Sequence, residues 1–123
     1  EENKRWNVNT LSVSNKLIGA RPGGMTPADS AIVEAAVRAN TAFGRKSVLT
    51  GASTDANVPM SLGVPAIIIG GGGKTGGFHA LNEWIDVTDA WKGAQSSLMT
   101  VLGLVGVDGV SQPLLEKRPP RAR

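Results

Sequence analysis

The chain contains no cysteine, which excludes disulfides and thiolate ligands and leaves His, Asp and Glu as the donors for any metal. It has a single histidine. One imidazole cannot hold a catalytic metal by itself, since a hydrolytic zinc takes about three protein ligands. Aromatic residues are only 4% of the chain, and none interleaves with the basic run Lys117-Arg-Pro-Pro-Arg-Ala-Arg123, which argues against a nucleic-acid surface. No window reaches the roughly 18 apolar residues of a membrane span. The opening Glu1-Glu2-Asn3-Lys4-Arg5 lacks the pattern of a signal peptide, so a soluble, cytoplasmic chain is expected. The first residue is Glu1 rather than Met, which reads as a fragment, a processed product or a trimmed chain.

What is present suffices for one compact domain and not for two: 123 residues, 41% of them hydrophobic. Of the net charge of +3, Lys117, Arg118, Arg121 and Arg123 supply four positive charges, so the body sums to −1. Residues 109–123 read as a flexible basic tail, solvated rather than docked on an acidic surface.

Along the chain, residues 8–18 mix apolar side chains with Ser, Asn and Lys and alternate through Leu11-Ser-Val13-Ser, which predicts a half-exposed strand. Arg21-Pro22-Gly23-Gly24 breaks it and marks a boundary between layers or domains. Thr26-Pro27-Ala28-Asp29 has the form of a helix start. Ile32, Val33, Ala36, Val37 and Phe43 then recur at helical spacing, and Gly44 is placed to end the helix in a left-handed conformation. Residues 47–50 are a short strand candidate. Asn57 is placed to cap a brief helix that Gly63 stops. Residues 64–69, Val-Pro-Ala-Ile-Ile-Ile, are continuously apolar, the pattern of a strand covered on both faces, so a parallel or mixed sheet flanked by helices is expected. A last helix runs from a cap at Asp86 or Thr88 to about Val105, with Ala90, Ala94, Leu98, Val101, Leu102 and Val105 on one side. Its Gly93, Gly103 and Gly106 weaken it or permit close packing. The order of elements is that of an α/β fold.

The chemistry concentrates after residue 69, where Gly70-Gly-Gly-Gly-Lys-Thr-Gly-Gly-Phe78-His79 follows the apolar stretch. Free backbone amides beside one imidazole suit anion and metal chemistry. Three readings stand for this loop. As a phosphate loop, the fingerprint ending in Gly73-Lys74-Thr75 needs glycine where Ile68 stands, and Gly76-Gly77-Phe78 is a poor helix start. The others are a plain surface loop, or a loop whose amides or histidine meet a ligand at the carboxyl end of a strand. His79 by itself reads as a structural, hydrogen-bonded histidine or as a ligand. Glu83, four positions on, orients it or is a solvated charge. Arg21 is an ordinary turn arginine or a bidentate clamp for a carboxylate. Asp55 forms the turn or caps the helix, and Trp84 and Trp91 are packing residues.

Arg21-Pro22, Ser53-Thr54-Asp55-Ala56-Asn57, Leu62-Gly63-Val64-Pro65, Gly76-Gly77-Phe78-His79 and Glu83-Trp84-Ile85, in this order and spacing, resemble the C-terminal portion of the two-zinc metallopeptidase and amidohydrolase family. That family includes peptidase T, acetylornithine deacetylase, succinyl-diaminopimelate desuccinylase, aminoacylase and the glutamate carboxypeptidases. The similarity spans residues 11–107. It implies that residues 1–24 are the last strand of a lid domain and its hinge, and residues 25–108 the second half of the catalytic domain. His79 then matches the last zinc ligand and Arg21 the arginine that grips a substrate carboxylate. Ser53, Thr54, Asp55, Gly76 and Gly77 match loops that line the substrate cleft.

The family's His-x-Asp pair, bridging aspartate and adjacent Glu-Glu have no counterpart here. The resemblance therefore implies a chain without hydrolytic activity of its own. Joined to the missing N-terminal half of the catalytic domain, it would complete a site with two zinc ions that hydrolyses a small peptide or N-acyl amino acid. A homodimer of the complete enzyme through the lid also follows from the family pattern. The competing reading, from another class, is a non-catalytic anion- or nucleotide-binding α/β module built on the glycine loop.

Overall fold

The computed structural model describes residues 1–116; the basic run from Lys117 lies outside the described residues. The chain is a small mixed α/β molecule whose elements are α1 (Glu2–Arg5), α2 (Ala31–Ala42), α3 (Asn57–Ser61), β1 (Lys74–Gly76), β2 (Trp84–Asp86) and α4 (Ala90–Val105). The two strands pair antiparallel, with Lys74 opposite Asp86 and Gly76 opposite Trp84. The core lies between α2 and α4.

Both glycine stops act as the sequence implies. Gly44 has φ +68°, and the Arg45 N–H donates to the Asn40 carbonyl at 2.9 Å, closing α2 in a Schellman turn. Gly63 has φ +73°, and the Val64 N–H reaches the Pro59 carbonyl at 2.9 Å in the same way for α3. The start of α2 differs from expectation. Ser30, with extended φ and ψ, precedes the first helical residue, while the Thr26 hydroxyl donates to the Ala66 carbonyl at 2.6 Å and accepts the Ala66 N–H at 2.9 Å. Thr26 is thus spent on a contact 40 residues away.

The last helix is the larger correction. Its buried residues are Gly93, Ser96, Thr100 and Leu104, whereas Ala94, Leu98, Val101, Leu102 and Val105, on the side expected inside, are exposed. The small face packs on Val33, Ala35, Ala36 and Ala39 of α2. Small side chains on both helices permit close approach, and the buried hydroxyls are not left unpaired. Ser96 donates to the Lys92 carbonyl at 2.8 Å and Thr100 to the Ser96 carbonyl at 2.7 Å. Phe43 and Trp91 meet edge to face, 6.3 Å between ring centres, at the junction of α2 with the start of α4. Gly93 fits the close-packing alternative: a side chain there would overlap the Gly71 and Gly72 backbone.

The expected strands at 8–18, 47–50 and 64–69 do not form, nor does a parallel or mixed sheet among the described residues. A strand needs a neighbour to take its N–H and C=O groups. Here individual side chains stand in for one: Asn3 donates to the Leu11 carbonyl at 2.7 Å and accepts the Leu11 N–H at 3.1 Å, as Thr26 does for Ala66. Ile18 is 94% exposed and Ile68 60%, while Ile67 and Ile69 are half-buried, so neither run is covered on both faces. Residues 107–115 fold back on α4, with the Leu114 and Leu115 N–H groups both donating to the Leu104 carbonyl at 3.1 Å. No helix among the described residues is long and apolar enough to cross a membrane.

Candidate functional site

Residues 21–26 run beside residues 53–66 and are fastened to them at successive points. The Arg21 guanidinium donates to the Ser53 hydroxyl at 3.4 Å and lies 3.8 Å from an Asp55 carboxylate oxygen. One residue on, the Pro22 carbonyl accepts from the Asn57 side-chain amide at 3.2 Å. Gly24 passes so close to Met60 of α3 that a β-carbon would overlap it. Thr26 completes the series at Ala66. The backbone of Thr54 is held on both sides by Asn57: its N–H donates to Asn57 Oδ1 at 3.0 Å, and its carbonyl accepts the Asn57 N–H at 3.1 Å.

The fold therefore brings Arg21, Ser53, Thr54 and Asp55 together across 32 residues of sequence. Half of the Arg21 side chain and all of the Asp55 side chain are exposed. Their attraction is screened by water, and the guanidinium fork remains open to a ligand. Asn57 reads in the sequence as a helix cap, and its link between the turn and Pro22 is visible only in the structure. In the structure Ala56 precedes α3 and Asn57 is its first residue, and its side chain faces back to the turn and to Pro22. The signal was an asparagine directly after a polar turn, the type whose amide offers a donor and an acceptor side by side.

His79, Gly76 and Gly77 form a second group at the end of the β1–β2 ribbon. The space beside Gly76 is filled by the Trp84 indole, and Gly77, at φ +67°, brings its backbone against the Asn82 carbonyl. Both glycines are required by the ribbon itself. The turn closes with the Ala80 N–H donating to the Gly77 carbonyl and the Glu83 N–H to the Ala80 carbonyl, each at 3.1 Å. His79 sits in this turn, exposed, at φ +61°. A left-handed backbone is uncommon outside glycine, although histidine is among the residues that adopt it more often. No side-chain hydrogen bond or ion pair joins His79 to Glu83, or the ribbon group to the Arg21 group, among the described residues.

The donors do not fit a zinc centre within this chain, because among the described residues no three His, Asp or Glu side chains converge. Nor is a phosphate-loop geometry formed: Lys74 and Thr75 lie in β1 instead of opening a helix. Asp86, at the far end of the ribbon, accepts from the Thr88 hydroxyl at 2.6 Å and the Thr88 N–H at 2.9 Å. Those two bonds, helped by the positive charge of Lys74, hold its carboxyl below the ordinary value of 3.8.

Fold and site together define a small α/β chain with one polar cluster around the Arg21–Asp55 ion pair, assembled from distant residues, and one histidine presented on a glycine-framed turn. No family model matches the chain, and no curated protein matches it in sequence.

Proposed function

We propose that the chain is the C-terminal portion of a metal-dependent peptidase or amidohydrolase of the two-zinc family, recognising the acid end of a small carboxylate-bearing substrate. The observation that carries this reading is the approach of Arg21 to Ser53 and Asp55. A half-exposed guanidinium held beside a hydroxyl offers parallel N–H donors to a planar carboxylate, which a lysine does not. His79 contributes one metal ligand, exposed and free of competing hydrogen bonds among the described residues. In this reading the remaining ligands, the general base and most of the lid belong to a companion segment, the N-terminal half of the catalytic domain.

The surface supports a companion. The chain exposes 10596 Å², against about 6,200 Å² for a self-contained folded protein of its mass. Exposed apolar side chains include Val13, Leu17 and Ile18, Ile68, and Leu98, Val101 and Val105 on the outer face of α4. With a companion in place, residues 47–50 and 64–69 gain strand partners, and residues 1–24 serve as the last lid strand and hinge.

The test is a chimera in which residues 11–107 replace the corresponding segment of a complete family enzyme. Two zinc ions per chain and hydrolysis of N-acyl amino acids are expected, with His79→Ala losing one zinc and turnover. Arg21→Lys is expected to raise KM about tenfold and to change kcat less than about twofold, because a point charge replaces a planar fork. A folded chimera that keeps zinc and turnover after His79→Ala overturns the reading.

A further inference from the structure

Arg21 is too weakly held by its own contacts to be placed by them. Its partners stand at 3.4 and 3.8 Å and are largely exposed, while an arginine side chain carries about 2 kcal/mol of rotamer entropy that favours other positions. The next residue is held by a hydrogen bond on a backbone with far fewer conformations to lose. Pro22 has φ limited to about −65°, and a proline also restricts the residue before it to extended conformations. Anchoring the Pro22 carbonyl therefore fixes the direction from which the Arg21 side chain leaves the backbone. The anchor is the Asn57 amide, which holds the Thr54 N–H with its oxygen at 3.0 Å and the Pro22 carbonyl with its nitrogen at 3.2 Å. The first bond is a local turn bond, three residues apart, of a kind asparagine makes in many turns. The second spans 35 residues and has no role in shaping the turn.

We infer that Asn57 is a positioning residue that holds Arg21 in front of Ser53 and Asp55 and so sets the affinity of the carboxylate clamp. The inference rests on the carboxylate reading given above for its functional half, and on geometry alone for its structural half. A side chain that keeps an acceptor near the backbone but lacks the amide NH2 keeps the turn and loses the anchor, whereas alanine loses both.

The experiment follows the Arg21 Nε–H signal of the 123-residue chain by NMR and titrates the chain with acetate. In the parent protein, acetate shifts the Arg21 signal saturably. Asn57→Ala is expected to weaken acetate roughly fivefold, the range for loss of one or two neutral hydrogen bonds, and to move the ligand-free Arg21 signal toward that of free arginine. Combined with Arg21→Ala and read from the acetate titration of the Ser53 amide, Asn57→Ala should weaken acetate no further, since the residue acts through Arg21. Asn57→Ser retains a hydroxyl for the Thr54 N–H and cannot reach Pro22. It should keep the Thr54 amide near its parent position yet loosen Arg21, a separation that a purely structural asparagine would not produce.

The inference is overturned if either variant, shown to be folded by unchanged α2 and α4 signals, leaves the Arg21 signal and the acetate affinity as in the parent. If acetate leaves the parent Arg21 signal unmoved while Asn57→Ser still loosens it, positioning stands and the carboxylate reading fails.

Discussion

His79 combines exposure with a left-handed backbone at φ +61°, a conformation that costs a non-glycine residue roughly 1 kcal/mol or more. Glycine at this position removes the strain and adds a similar entropy to the unfolded chain. His79→Gly is therefore expected to unfold within about 0.5 kcal/mol of the parent, and His79→Val to lose about 1–2 kcal/mol, because a β-branched side chain tolerates positive φ least. Denaturant midpoints decide between these outcomes, and equal losses for both would remove strain from the account of this turn. Asp86 gives a pH prediction. Its folded pKa is depressed, chiefly by the Thr88 hydroxyl and then the Thr88 N–H, so its contribution to stability is present above the unfolded value and is lost as pH falls through the folded one. A carboxyl titration should place Asp86 below 3.8, and Thr88→Val should return it toward that value. The ribbon and the start of α4 accordingly loosen on acidification through that range and not at neutral pH.

At the scale of elements, α4 packs by its small polar face. Spacing alone identified an amphipathic helix over nearly the right residues, yet the side expected inside is outside. Hydropathy weighs side chains one at a time, whereas packing depends on how closely two backbones approach: alanines on α2 favour Ser96 and Thr100 over Leu98 and Val101, and the Gly71–Gly72 backbone favours Gly93. Gly93→Ala should cost about 1–3 kcal/mol, by overpacking against the Gly71 and Gly72 backbone. Gly103→Ala, where nothing lies within 4 Å of the added carbon, should instead stabilise α4 by about 0.5–1 kcal/mol. Thermal unfolding of the two variants tests the packing directly, and similar losses would contradict it. Leu98→Glu should leave the isolated chain within about 0.5 kcal/mol of the parent, as for other exposed positions.

For the whole molecule, unpaired apolar backbone and an exposed hydrophobic helix face make self-association the expected behaviour in isolation. Sedimentation should show concentration-dependent association, and Ile68→Lys should reduce it by charging a segment with no strand partner. A strictly monomeric parent at high concentration would argue that these surfaces need no cover. In the chimera the ordering reverses: Leu98→Glu and Ile68→Lys, mild in the isolated chain, should each impair assembly. That contrast tests the proposed function, in which an assembled site would bring Arg21 and His79 to a common substrate.

Local chemistry was legible from the residues. Gly44 and Gly63 end their helices because glycine accepts positive φ, and α2 and α3 form where helical spacing and these stops place them, although neither starts at the cap the sequence suggests. Pairing was not legible. A strand pattern states only which face is apolar, and whether it becomes a strand depends on a neighbour's hydrogen bonds, which residues 8–18, 47–50 and 64–69 lack. The tertiary structure alone decided which face of α4 is buried, that Thr26 serves Ala66 rather than its own helix, and that Asn57 joins the turn to Pro22. Each of these is a contact between distant residues, set by how closely backbones approach and not by any property written along the chain.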